Sequence, residues 1–158
     1  AWLALHALRL SAEDFEIRRD VPLTATQARR VRALFERRVR ERKPAAYITR
    51  EAWLANYRFY VDERVIVPRS YIAELLQDRL APWVSRPQRI KSALDLCTGS
   101  GCLAVMLADV FPHAVVDAVD LMPDALKVAR RNVSAYRLAN RVRLLRSDLF
   151  EELGARRY

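Results

Sequence analysis

The residues best placed to do chemistry are Asp95-Leu96-Cys97-Thr98-Gly99-Ser100-Gly101-Cys102. Two of the chain's three glycines fall in that stretch, two residues apart. Glycine lacks a β-carbon, so Gly99 and Gly101 permit a sharp bend and let a ligand approach the main chain closely. Unpaired amides at the start of a following helix would add a polar ledge. Asp120 follows 19 residues after Gly101, where a strand-tip carboxylate can accept from both hydroxyls of a ribose. With Ala104 in the last slot the stretch also satisfies the dinucleotide pattern G-x-G-x-x-G/A, so the bend and Asp120 suit NAD as well as S-adenosylmethionine. Asp95 and Asp148 favour the latter. Asp95 lies inside the first strand, where it can face a cationic methionine group through main-chain or water contacts, and Asp148 is placed to accept from an adenine amine.

Each acid has a plainer reading as well. A strand-end Asp often caps the next helix. Asp124 after Pro123 reads as a cap, and Asp117 as a solvated strand residue. Three acids and the glycine pair in this order are harder to attribute to capping alone.

The elements that must position these residues read as β-α-β-α-β. Ala93–Cys97, Ala114–Val119 and Arg141–Leu145 are apolar runs of strand length, and Leu103–Val110 and Asp124–Ala135 have helical spacing. Crossover handedness folds such a series into a parallel sheet covered by helices, an α/β fold. Upstream, Thr24-Ala25-Thr26-Gln27 has the form of a capping box. Ala28, Val31, Phe35 and Val39 then recur at helical spacing, widened by Leu34, and predict the buried stripe of a helix. Pro44 stops that helix. Tyr47–Thr49, Tyr57–Val61 and Val65–Val67 predict extended segments, and Ser70 can cap a helix over Tyr71–Leu80. The organisation expected is a helical domain over 1–43, a hairpin linker over 44–69, and the first half of a catalytic domain over 70–158.

The chain has 158 residues and a net charge of +9, and 25 of its 28 basic residues are arginine. Residues 1–43 hold 11 basic and 6 acidic side chains. Two readings stand: a solvated helix face, or contact with an acidic partner such as ribosomal RNA. Cys97 and Cys102 read as reduced packing residues with no metal site around them, and the apolar opening Ala1–Leu10 is too short to span a bilayer. A cytoplasmic protein is expected, with no membrane partner.

Leu94–Cys102 resembles motif I of the protein-(glutamine-N5) methyltransferases (HemK/PrmC/PrmB type). Arg42-Lys43-Pro44-Ala45-Ala46-Tyr47-Ile48 and Phe59–Ser70 resemble the same family's R-x-P-x-x-Y-I element and hairpin. Glu51-Ala52-Trp53 and Pro68-Arg69-Ser70 are most like the branch that modifies a large-subunit ribosomal protein; the release-factor branch is the alternative. The resemblance implies a Rossmann-like class I fold with a helical substrate-recognition domain, S-adenosylmethionine as cofactor, and methyl transfer to a glutamine amide nitrogen. It implies that Asp95 and Thr98–Cys102 cradle the methionine portion, Asp120 with Leu121 the ribose, and Asp148 with Leu149 the adenine edge. Arg69 is a weaker candidate for closing the site. The Asn-Pro-Pro-Tyr loop that holds the glutamine in this family is expected beyond Tyr158. The sequence therefore reads as an inactive fragment in which no catalytic residue can be named, with the first strand left as an open apolar edge. A nicotinamide-dependent dehydrogenase and a non-catalytic ribosome-binding module are the competing readings.

Overall fold

A computed structural model describes residues 1–158, the side chain of Ala12 excepted. The chain divides into two compact units, Ala1–Glu51 and Ala52–Tyr158.

The first unit is helical: α1 (Trp2–Leu8), α2 (Ala12–Ile17), α3 (Ala25–Glu41) and α4 (Ala45–Thr49). The expected capping box is present, with the Thr24 hydroxyl accepting from the Gln27 amide and the Gln27 side chain accepting from the Thr24 amide. A second box, Ser11 with Asp14, starts α2. The stripe on α3 is a correction. Ala28, Val31 and Leu34 are half-buried as expected, but Phe35 and Val39 are 44% and 75% exposed, and Gln27, Arg37 and Glu41 join Val31 and Leu34 on the half-buried face. At about 100° per residue this face lies roughly a quarter-turn or more from Phe35 and Val39, so aliphatic stems and the Arg37–Glu41 pair at 2.9 Å take the inner side. Tyr47–Thr49 is also helical, not extended. Pro44 starts this helix as its N-cap, Ala45 and Ala46 favour it, and the Thr49 hydroxyl donates back to the Ala45 carbonyl at 3.1 Å.

The second unit opens with an antiparallel hairpin of β1 (Ala52–Leu54) and β2 (Tyr57–Phe59), in which Ala52 faces Phe59. Strand β1 was not foreseen, and Val65–Val67 is not a strand. The Asp62 carboxylate takes the Arg64 amide at 3.1 Å and the Val65 amide bonds the Asp62 carbonyl at 3.1 Å, which turns the chain there and leaves Ile66 80% exposed. Helix α5 (Ile72–Gln77) stops short of Leu80 because Arg79 and Leu80 adopt left-handed φ values.

The parallel sheet is as the apolar runs predict. Strands β3 (Ser92–Leu96), β4 (Val115–Asp120) and β5 (Val142–Arg146) lie in the order β3-β4-β5, joined by α6 (Cys102–Val110) and α7 (Pro123–Ala135). The core gathers Phe59, Leu76, Val105, Met106, Phe111, Val116, Ala118 and Val133. Asp117 departs from expectation: it is buried, not solvated. Its Oδ2 accepts from Arg156 Nη1 at 2.8 Å and the Tyr158 hydroxyl at 2.7 Å, while its buried Oδ1 has no partner. The chain after β5 returns alongside the sheet, with the Arg157 carbonyl accepting from Ser92 Oγ at 3.2 Å, and so covers a position that strand alternation alone assigns to solvent.

Candidate functional site

The glycine stretch is a tight bend from β3 into α6. Cys97, Gly99 and Gly101 all have positive φ (57°, 54° and 77°), and Gly101 is the N-cap of α6. The two glycines serve different purposes. A β-carbon on Gly101 would sit 3.1 Å from Ala129 Cβ and 3.2 Å from its Cα, so this glycine lets α7 pack against the bend. A β-carbon on Gly99 would meet only the Cys97 carbonyl at 3.9 Å, which leaves this part of the bend open to a ligand. Main-chain bonds set the shape: Thr98 N–H to Val119 O and Gly101 N–H to Thr98 O, both 2.8 Å.

Asp95 sits under the bend. It is buried, and its Oδ2 accepts from the Thr98 hydroxyl at 2.6 Å. Burial holds its carboxyl above the ordinary aspartate range, although the Thr98 hydroxyl and the Ala104 amide pull the other way. Thr98 and Ser100 are buried with it. Cys102 is half-buried, which pushes its thiol up, whereas Cys97 is exposed and does not pack as expected.

The strand tips come together beside the bend. Asp120 Oδ2 accepts from the Gly99 amide at 2.8 Å and Oδ1 from the Met122 amide at 2.9 Å. The carboxylate is thus fixed by two main-chain donors, and each oxygen keeps further acceptor capacity. The Ser147 amide donates to the Asp120 carbonyl at 3.3 Å, which draws the end of β5 alongside. Asp148 is exposed there, and Leu121, Met122, Leu149 and Phe150 leave 50–60% of their surfaces uncovered around the two tips. Asp124 is not the N-cap of α7, a place Met122 takes; it lies in the first turn and pairs with Lys127 at 2.7 Å. Arg69 is exposed and lines a separate cavity of about 390 Å³ with Trp53, Pro68 and Tyr71.

Asn132 went unrecognised as anything but a helix residue. It is 2% exposed and bonds the Ser100 carbonyl inside the bend at 2.8 Å. A signal was present: Asn132 shares the apolar face of α7 with Ala125, Val128 and Ala129, and a polar side chain there must find partners.

A glycine bend flanked by carboxylates at successive tips of a parallel sheet defines a nucleotide-cofactor fold of the methyltransferase class. Residues 74–158 match the model of the methyltransferase small domain, and residues 1–49 that of the PrmC N-terminal domain. The chain belongs to the methyltransferase small-domain family, and the dehydrogenase reading is set aside. It is 53% identical over 157 residues to a ribosomal protein uL3 glutamine methyltransferase of Bordetella pertussis, covering 99% of this chain and 53% of that one. The protein of the same description from Burkholderia pseudomallei is 53% identical over 152 residues, 96% of this chain and 50% of that one. The one from Neisseria meningitidis serogroup B is 50% identical over 153 residues, 97% and 50%. The chain thus spans about half the length of the curated relatives it matches. Among solved structures, the delta-N METTL16 MTase domain aligns at TM-score 0.51 and 12% identity over 63% of this chain and 46% of that one, an agreement in fold.

Proposed function

We propose that this chain carries the S-adenosylmethionine-binding part of an enzyme that methylates the side-chain amide nitrogen of a glutamine in ribosomal protein uL3. The observation that carries the cofactor assignment is Asp120, held by the Gly99 and Met122 amides with lone pairs to spare, between exposed apolar side chains at two strand tips. The spare acceptors suit a ribose diol, and we assign the exposed Leu121, Leu149 and Asp148 at the two tips to the purine. The bend from Thr98 to Cys102 takes the methionine portion, and buried Asp95 offsets its positive charge through the bend. The bound cofactor supplies a methyl group on a sulfonium. The residues here orient that group and keep water from its inner side. The Asn-Pro-Pro-Tyr loop implied by the resemblance is not among residues 1–158, and the glutamine-holding role goes to none of them. That the three relatives are ribosomal protein uL3 glutamine methyltransferases supports uL3 over a release factor as the substrate.

Calorimetric titration of the full-length protein tests this reading. S-adenosylmethionine is expected to bind and NAD not to, and Asp120→Ala is expected to weaken binding by about tenfold or more, the loss of charge-assisted hydrogen bonds. Binding of NAD alone, or methylation of a release factor in preference to uL3, would overturn it.

A finer reading concerns the surface of α3. Arg29, Arg30, Arg32, Arg38 and Arg40 are exposed on this helix, and we assign them contact with ribosomal RNA around the substrate. Such contact predicts affinity for large-subunit RNA that falls steeply with salt and with Arg29→Glu/Arg38→Glu; affinity indifferent to both would remove it. No helix among the described residues is long and apolar enough to cross a membrane, and a cytoplasmic site of action accords with this substrate.

A further inference from the structure

Helix α7 turns two polar side chains, four residues apart, onto one edge of the hairpin segment. The Tyr136 hydroxyl accepts from the Arg58 amide at 2.9 Å and donates to the Arg58 carbonyl at 3.0 Å. One turn earlier, Asn132 Oδ1 accepts from the Tyr60 amide at 2.8 Å and its Nδ2 donates to the Tyr60 carbonyl at 3.0 Å. Residues 58 and 60 of an extended chain present their peptide groups to the same side, so the two side chains replace a missing neighbouring strand. The two rungs are alike toward the hairpin and differ in one respect. Asn132 Nδ2 also donates to the Ser100 carbonyl at 2.8 Å, which uses both amide protons of a fully buried group. Ser100 stands between the two glycines, and Ala129, one turn before Asn132, packs against Gly101.

We propose that Asn132 is a positioning residue for the cofactor: its single amide holds both the Tyr60 peptide and the Ser100 carbonyl, and so couples the seating of the hairpin segment to the shape of the glycine bend. When the segment is seated, the Asn132 amide is oriented and the Ser100 carbonyl is drawn toward α7, away from the open side at Gly99. When it lifts, the amide loses two of its three partners and the bend loses its fixed geometry. A protein substrate that presses on the hairpin would thereby tighten the cofactor site. The reference to cofactor rests on the function proposed above.

The test compares Asn132→Ala with Tyr136→Phe in the full-length protein. Both variants are expected to lower the unfolding temperature, because each cuts a rung. Hydrogen exchange without ligand is expected to accelerate over residues 57–61 in both variants, and over residues 98–102 strongly in Asn132→Ala and less in Tyr136→Phe, where the loosened hairpin segment reaches the bend only through Asn132. Affinity for S-adenosylmethionine is expected to fall about tenfold in Asn132→Ala and by a smaller factor in Tyr136→Phe. Should Asn132→Ala not fold, Asn132→Ser, which keeps a small donor, takes its place under the same expectations. Unchanged exchange over 98–102 in either variant, or equal effects of the two variants on the bend, overturns the proposal. A wild-type protein that fails to bind S-adenosylmethionine defeats the cofactor reading alone, since the exchange comparison decides the coupling without any ligand.

Discussion

The two units hold themselves together in different ways. In residues 1–51 the longest helix, α3, contains no buried residue among the described ones, and the ends of α2 and α3 are fixed by capping boxes at the surface. In residues 52–158, Phe59, Leu76, Met106, Phe111 and Val116 are almost wholly enclosed. One acid from each unit shows the contrast between local and long-range surroundings. Asp14, in the capping box, titrates below the ordinary range because Ser11 donates to it from its hydroxyl and amide. Asp95 titrates above that range because it is buried. The first unit fixes its helix ends by neighbours in sequence around a small enclosed set, Leu3, Ile48 and Thr49, with Trp2 Nε1 donating to Thr49 Oγ1 at 3.3 Å; the second is organised around a larger core. A ligand bend needs a scaffold that holds its shape, and only the second kind of organisation supplies one.

Truncating each kind of support should separate the units by size of effect. Phe111→Ala empties a site that is 2% exposed and is expected to cost about 3–5 kcal/mol in urea unfolding. Thr24→Ala removes one exposed cap and is expected to cost about 1 kcal/mol. Hydrogen exchange should assign the first loss to the sheet and the second to α3. A Thr24 loss as large as that of Phe111 would mean that a surface cap carries as much of the fold as the enclosed core does, and the comparison would fail.

The same division decides what was legible in the residues. The parallel sheet, α6 and α7, the Thr24 box and the glycine bend were all readable, because each is written within one strand, one turn or one short motif. What escaped depends on contacts made across the chain. Asp117 is covered by Arg156 and Tyr158, some forty residues later, and strand alternation carries no trace of that. The inward face of α3 is set by what it packs against, so Phe35 and Val39 were assigned to the wrong side. Val65–Val67 has strand composition, yet the Asp62–Arg64 pair bends it. Asn132 lay between: its place on an apolar face was visible, but its partners, Tyr60 and Ser100, were not. The positions of Asp95, Asp120 and Asp148 at successive strands were readable; that Asp120 is clamped by the Gly99 amide required coordinates.

The smallest expected effect is the most specific to the site. Folding raises the Asp95 carboxyl above its unfolded value, mainly through burial, with Thr98 and Ala104 opposing. Its contribution to stability is therefore fully present below the unfolded value and is lost as pH rises through the folded one. Above the folded value the protein carries a buried carboxylate whose charge is only partly offset by hydrogen bonds. Asp95→Asn removes that titration while its side-chain oxygen can still accept from the Thr98 hydroxyl. The unfolding temperature of the variant minus that of wild type should grow as pH rises through the folded value and then level off. S-adenosylmethionine should narrow the gap at neutral pH, since a cation nearby favours the charged carboxyl. A gap that does not vary with pH would show that hydrogen bonding fully offsets burial at Asp95, and one that shrinks as pH rises that hydrogen bonding governs it; in either case the contrast with Asp14 would vanish. A gap that varies with pH and ignores the ligand would keep the contrast and place the cation elsewhere.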